Sequence, residues 1–181
     1  MPVENELKFI LNLDCLEDIK TELLTYPNAR KLKIWQGYLT SHARIRHIEE
    51  GKNHRYVFTY KLKISGGQTV EIETDISTHD FIKLVEAVNE KIIKDRISIE
   101  MGDETWEIDF LKDPKTGNIY LIIAEVEMPE WQYVPTVIPN FISNHLVFPV
   151  PKNDKRFNNK QLGSPTEVRK LYEIVKNKSS K

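Results

Sequence analysis

Cysteine is almost missing from this chain. Cys15 is the only one in 181 residues. No intrachain disulfide can form, and a reducing, cytoplasmic setting is expected. Long hydrophobic runs are missing as well. None approaches the roughly 18 residues that a transmembrane helix requires. The N-terminus lacks a basic stretch leading into an apolar run and a cleavage site, so secretion is not expected. Charge of one sign is also absent: 26 Lys and Arg against 27 Asp and Glu leave a net charge of -1. No global field then draws nucleic acid or a membrane, and neither is expected as a partner. Any ligand electrostatics must be local. Gly66-Gly67 is not followed by the Gly-Lys-Ser/Thr of a phosphate loop. His42, His47, His54, His79 and His145 lack metal-ligand spacing within one helix or strand, which assigns them surface or packing roles. Cys15 reads as packing, and Trp35 and Trp131 as core or rim residues. No internal repeat, low-complexity tract or domain boundary is visible, so one domain over 1–181 is expected, with 40% hydrophobic residues to build its core.

What the sequence does contain is alternation. From Val3 to Ile10, Glu4, Glu6 and Lys8 recur at every second position and share one strand face, opposite Val3, Leu7 and Phe9. Further strands are predicted over 33–40, 43–48, 55–64, 69–76, 95–101, 104–112 and 119–127, joined mostly by short turns such as Gly66-Gly67 and Gly102-Asp103. A helix is predicted from Asn12 or Asp14 to about Leu24. A second runs from a Ser77 or Thr78 cap to about Ile93, with Phe81, Leu84, Val85, Val88 and Ile92 on its stripe. The fold class is therefore α+β, with eight antiparallel strands closed into a barrel so that no edge is exposed. Beyond the core strands (3–128), the segment 129–181 changes character. Its prolines argue against a central strand. A short helix over 141–146 and an amphipathic one over about 165–176 are expected there.

The charges are sorted by sign. Arg44 and Arg46 lie on one strand, Lys61 and Lys63 (with Thr59) on the next, then Glu71, Glu73 and Asp75. Lys94 and Arg96 follow, then Glu107 and Asp109, then Glu125 and Glu127. A single charged face is ordinarily a solvated one, with cross-strand pairs of small worth. Solvated faces usually mix signs, however, and here like charges two residues apart have nothing local to compensate them. If amphipathic helices cover the apolar faces, the charged faces turn inward. Desolvating an unpaired ion costs several kcal/mol, so such a lining must stay wet or bind counter-ions. Acidic strands suit a hard divalent cation, Mg²⁺ or Mn²⁺, and basic strands suit a polyanion.

The ordered set of motifs resembles the CYTH, or triphosphate tunnel metalloenzyme, superfamily, inorganic triphosphatase-like members above all. It comprises Glu4-x-Glu6-x-Lys8, Gln36-Gly37-Tyr38-Leu39, Arg44-Ile45-Arg46, Thr59-Tyr60-Lys61-Leu62-Lys63, Glu71-Ile72-Glu73, Lys94-Asp95-Arg96, Trp106-Glu107-Ile108-Asp109 and Ala124-Glu125-Val126-Glu127. Asp154 to Asn159 is similar to a stretch in bacterial members, where it follows the last strand more closely.

The resemblance implies an eight-stranded tunnel that hydrolyses a small-molecule triphosphate with Mg²⁺ or Mn²⁺, most simply tripolyphosphate to pyrophosphate and orthophosphate. It implies metal ligation by Glu4, Glu6 and Glu127, with Glu125 and Asp109 binding metal or orienting water. Glu71 and Glu73 would assist, and phosphates would be gripped by Lys8, Arg44, Arg46, Lys61, Lys63, Lys94 and Arg96. A homodimer is compatible with it. Thiamine triphosphatase, nucleoside triphosphatase and class IV adenylate cyclase are rival activities. His42 stands where animal thiamine triphosphatases place a Trp. A non-catalytic polyphosphate-binding module would lack the acids that Glu4, Glu6, Glu125 and Glu127 supply.

Overall fold

The computed structural model describes residues 5–63, 69–152, 154–157 and 161–179, with Lys63 and Ser179 described by their backbone alone. Glu4 and the Gly66-Gly67 turn lie outside the described residues. The strands are β1 (Glu6–Leu11), β2 (Arg30–Tyr38), β3 (Ala43–Glu50), β4 (Asn53–Lys63), β5 (Thr69–Asp75), β6 (Glu90–Met101), β7 (Glu104–Lys112), β8 (Ile119–Glu127) and β9 (Leu146–Val150). The helices are α1 (Leu16–Leu23), α2 (Thr78–Val85), α3 (Asn140–Ser143) and α4 (Pro165–Ser179). The strands form one sheet in the order β5-β4-β3-β2-β6-β7-β8-β1-β9, antiparallel throughout.

This corrects the expected eight-stranded closed barrel. Closure would require β1 to pair with β5 across its free edge. That edge is taken by β9, which pairs Phe9 with Pro149 and Ile10 with Phe148. Pro149 has no N–H to donate, and it is tolerated because β9 is an edge strand. The prolines of this segment thus ruled out a central strand but not an edge one.

A second correction concerns α2. It is capped as expected, with Ser77 Oγ accepting from the Asp80 N–H at 3.1 Å. It ends at Val85, not near Ile93. Ile92 and Ile93 instead pair with Gln36 and Trp35 of β2. Isoleucine is stiff at χ1 and fits a pleated surface, so the sheet ladder outcompetes continuation of the helical stripe.

The two faces of the sheet have separate cores. On the outer face, Phe9, Leu11, Ile97, Ile99, Trp106, Ile108, Phe110, Ala124 and Val126 pack with Ile19 and Leu23 of α1 and with Phe141 and Ile142 of α3. Helical cover of the apolar face is what the alternation required. The inner face carries the second core, at one end only. There Ile10, Ile92, Leu111, Leu121 and Ile123 meet Val168, Tyr172 and Val175 of α4, together with Phe157 and Leu162. The C-terminal segment therefore fills one end of the inner face. Tyr172 anchors it, its hydroxyl accepting from the Leu13 N–H at 3.0 Å and donating to Asn12 Oδ1 at 3.1 Å.

Candidate functional site

The ladder registers decide which side chains share a face, because directly paired residues of neighbouring strands point the same way. Glu6 opposes Glu127, and Lys8 opposes Glu125. Glu125 opposes Glu107, which opposes Ser98, while Asp109 opposes Arg96. Tyr38 opposes Arg44, and Gln36 opposes Arg46. Thr59 opposes Arg44 and Glu73, and Lys61 opposes Glu71. All of these residues fall on the inner face, beside the α4 plug.

The sheet curls around that face. β5 and β8 are six strand positions apart, which in a flat sheet would separate them by about 29 Å. Yet Glu127 on β8 feels the charges of Glu71 and Lys61. Likewise Arg46 feels Arg96, and Tyr38 feels Glu125. The inner face is a trough whose opposite walls interact.

Down the trough the environment changes from wet to dry. At the mouth, Glu127 is exposed and Glu6 and Glu107 are partly so. Glu127 has its carboxyl raised by burial, and further by Glu107, Glu6 and Glu71. Among the described residues no ion pair engages it. One layer in, Lys8 lies 2.8 Å from Glu6 and is bonded to Glu125. Burial works against the Lys8 ammonium, but Glu125 and Glu6 outweigh it and hold its pKa above the usual value. Burial likewise opposes the Glu125 carboxylate, and Lys8, Lys94 and Arg96 drive it well below the usual range.

Deeper still, Asp109 is 1% exposed. It accepts from Arg96 Nε at 2.6 Å, from Arg96 Nη2 at 2.7 Å and from Lys94 Nζ at 2.5 Å. Arg96 also bonds Glu107 and sits 3.7 Å from Glu125. Burial and the neighbouring Arg96 pull Lys94 down to about 8, although Asp109 and Glu125 oppose them.

The opposite wall is basic. Arg44 Nη2 lies 3.0 Å from Glu71 Oε1, and Lys61 Nζ lies 3.0 Å from Glu71 Oε2. Arg46 pairs with Glu73 and donates to Thr59 Oγ1 at 3.2 Å. The Nε donors of Arg44 and Arg46 are buried and have no partner among the described residues. Burial first, and Arg44 next, lower the Arg46 pKa. A buried donor left unsatisfied is costly, and two on adjacent guanidinium groups favour an anion with several acceptor oxygens.

The sorted charges are thus compensated, but between strands and not within them. Acidic β5 lies beside basic β4, and acidic β7 beside basic β6. The sequence reading lacked this partnership, since it depends on strand order. It also omitted Gln36, Tyr38 and Ser98, which are buried on the inner face, and gave Glu107 no role. Tyr38 accepts from Gln36 Nε2 at 2.5 Å, and burial pushes its phenol up to about 12. In the sequence Gln36-Gly37-Tyr38 stands out only as a motif. The signal that could have found its side chains was their shared face with Arg44 and Arg46.

No family model matches the sequence, and no curated protein matches it. Solved structures do. The protein NE1496, in a structure describing it as hypothetical, is 26% identical, with a TM-score of 0.51 over 88% of this chain and 97% of that one. In a second structure NE1496 is named an inorganic triphosphatase, at 24% identity and a TM-score of 0.51 over 90% of this chain and 95% of that one. The chain has the fold of the CYTH, or triphosphate tunnel metalloenzyme, superfamily. A putative adenylate cyclase from Bacillus halodurans is similar in fold at 12% identity, with a TM-score of 0.53 over 85% of this chain and 95% of that one. Among the described residues, no helix is long and apolar enough to cross a membrane.

Proposed function

We propose that the protein is a metal-dependent triphosphatase that hydrolyses inorganic tripolyphosphate to pyrophosphate and orthophosphate. The observation that carries this reading is the pair of buried, unpartnered Nε donors on Arg44 and Arg46, facing the same trough as the acids Glu6, Glu107 and Glu127. Two donors on one wall lack acceptors, and Glu127 at the mouth lacks an ion-pair partner, among the described residues. A triphosphate with a divalent ion supplies both.

The donor set fits the metal. Carboxylate oxygens without thiolate or imidazole at the trough mouth suit Mg²⁺ or Mn²⁺. Glu6 and Glu127, with Glu4 two residues before Glu6, are the proposed ligands, and Glu107 is within electrostatic reach of Glu127. When bound, the metal would neutralise charge on the phosphate oxygens. Asp109 and Glu125 have a different part in this reading. Their oxygens are committed to Lys94, Arg96 and Lys8, so they hold those cations in position rather than binding metal. Arg44, Arg46 and Lys61 grip phosphate oxygens, exchanging carboxylate partners for substrate, while Arg96 stays on Asp109 and adds its charge to the trough floor. Lys63 follows Lys61 by two positions in the sequence and is a proposed phosphate contact. Glu71 and Glu73 hold the arginines in place until substrate arrives. Phosphoryl transfer to water needs little covalent work from protein, so fixed charges of this kind supply most of the catalysis.

Tripolyphosphate is favoured over thiamine triphosphate or a nucleotide for a steric reason. The apolar part of the inner face is filled by Val168, Tyr172 and Val175, which leaves the charged part for a substrate without a base or thiazole ring. A cytoplasmic location belongs to this reading.

Phosphate release from tripolyphosphate, ATP and thiamine triphosphate should be compared with Mg²⁺ or Mn²⁺, with cyclic AMP followed in parallel. Tripolyphosphate should give the highest kcat/KM. Cyclic AMP as the main product from ATP would overturn the assignment. Glu6→Gln and Glu127→Gln should each abolish turnover while leaving the folded far-UV spectrum unchanged.

A further inference from the structure

We propose that His47, Glu49 and His54 form a separate binding site for a Zn²⁺-class transition ion, on the outer face of the β3–β4 hairpin. One ligand atom from each residue falls within 4.8 Å of the others. The sequence reading placed these histidines in surface or packing roles, because no helix or strand carries two of them at ligand spacing. The hairpin supplies what spacing lacked. Its register sets Glu49 directly opposite His54, and His47 lies two residues before Glu49 on the same face.

Two of the three ligand atoms already sit at coordination spacing. His47 Nε2 and His54 Nδ1 are 3.1 Å apart. Two nitrogens bound tetrahedrally at about 2.0–2.1 Å from one zinc lie about 3.3 Å apart. The other nitrogen of His47, Nδ1, faces Glu49 Oε1 at 3.9 Å. Two imidazoles and one carboxylate are a borderline-soft set that selects Zn²⁺, Cu²⁺ or Ni²⁺ over Mg²⁺.

The site is also partly pre-organised. The His47 ring lies 4.8 Å from Tyr56 at an interplanar angle of 17°, and 6.1 Å from Phe81 of α2. His54 is exposed, and its ring lies 5.3 Å from that of His47 at an interplanar angle of 20°. Two neutral imidazoles facing each other at 3.1 Å share one N–H between them. An ion entering there displaces that proton, which leaves to solvent or moves to the other nitrogen of its ring.

The site is independent of the trough. His47 alternates with Arg46 along β3, so the sheet separates the two. A bound ion would tie β3 to β4, the strands that carry Arg44, Arg46 and Lys61.

The test uses the full chain, stripped of metal by chelation and then held in excess Mg²⁺. Zn²⁺ is titrated calorimetrically, and the thermal midpoint is read with and without Zn²⁺. One equivalent of Zn²⁺ should bind and raise the midpoint. His54→Ala, at an exposed position, should weaken binding at least about 100-fold and cancel the rise, since even partners that only orient ligands cost 10–100-fold. His47→Gln should do the same. Mg²⁺-supported hydrolysis of tripolyphosphate should be unchanged in His54→Ala, so failure here leaves the trough assignment untouched. No saturable Zn²⁺ binding, or binding equally strong in wild type and His54→Ala, would overturn the proposal.

Discussion

Replacing Asp109 by Asn tests how the floor of the trough is held together. In the native protein the Asp109 carboxylate is shared by Arg96, through both Nε and Nη2, and by Lys94. All three residues are buried. Asn keeps the size and loses the charge, leaving two buried cations side by side. Removing one partner of a buried ion pair costs about 3–5 kcal/mol. Lys94 offers a partial escape, because burial and Arg96 already hold its pKa near 8 against an ordinary 10.5. Without Asp109 it falls further, and the variant can shed the proton.

That escape has a pH signature. Stability rises with pH wherever the unfolded chain binds more protons than the folded one. For wild type, the Lys94 contribution rises only between about 8 and 10.5. For Asp109→Asn the rise begins at lower pH, at up to about 1.4 kcal/mol per pH unit. The deficit of the variant should therefore be largest near pH 6 and shrink by up to about 2.7 kcal/mol on approaching pH 8. Urea unfolding of both proteins across that range measures it. A variant that unfolds at the wild-type midpoint at pH 6 would refute the argument. So would a deficit that stays constant from pH 6 to 8.

Other consequences concern activity and the plug. Arg46→Ala should lower kcat/KM for tripolyphosphate by roughly 10–150-fold, the worth of about 1.5–3 kcal/mol for one charged hydrogen bond, and urea melts should show the fold intact. The kcat/KM profile should fall as pH rises through about 8, where free-enzyme Lys94 loses its proton, and Lys94→Arg should remove that limb. Tyr172→Phe should cost about 1–2 kcal/mol in chemical denaturation, because the Leu13 N–H and Asn12 Oδ1 lose their partner, while kcat changes little.

Local and periodic features were legible in the chain. β7 and β8 occupy 104–112 and 119–127, the ranges that alternation and the flanking turn formers indicated. The Ser77 cap forms, and the apolar and charged sides of the strands part as the period of two required. Side-chain direction along a strand is set by the backbone pleat, so sequence alone determines which residues share a face.

Partnership between distant segments was decided elsewhere. Whether β1 accepts β5 or β9 on its free edge depends on where the C-terminal segment docks, and no local propensity encodes that. The same holds for Ile92 and Ile93, which suit a helical stripe until β2 offers a ladder, and for His47, Glu49 and His54, which meet only across a hairpin. Glu71 beside Arg44 and Asp109 beside Arg96 follow from strand order. Sign-sorted strands read as uncompensated along the chain, and the tertiary structure neutralises them because Coulomb forces act through space between neighbouring strands.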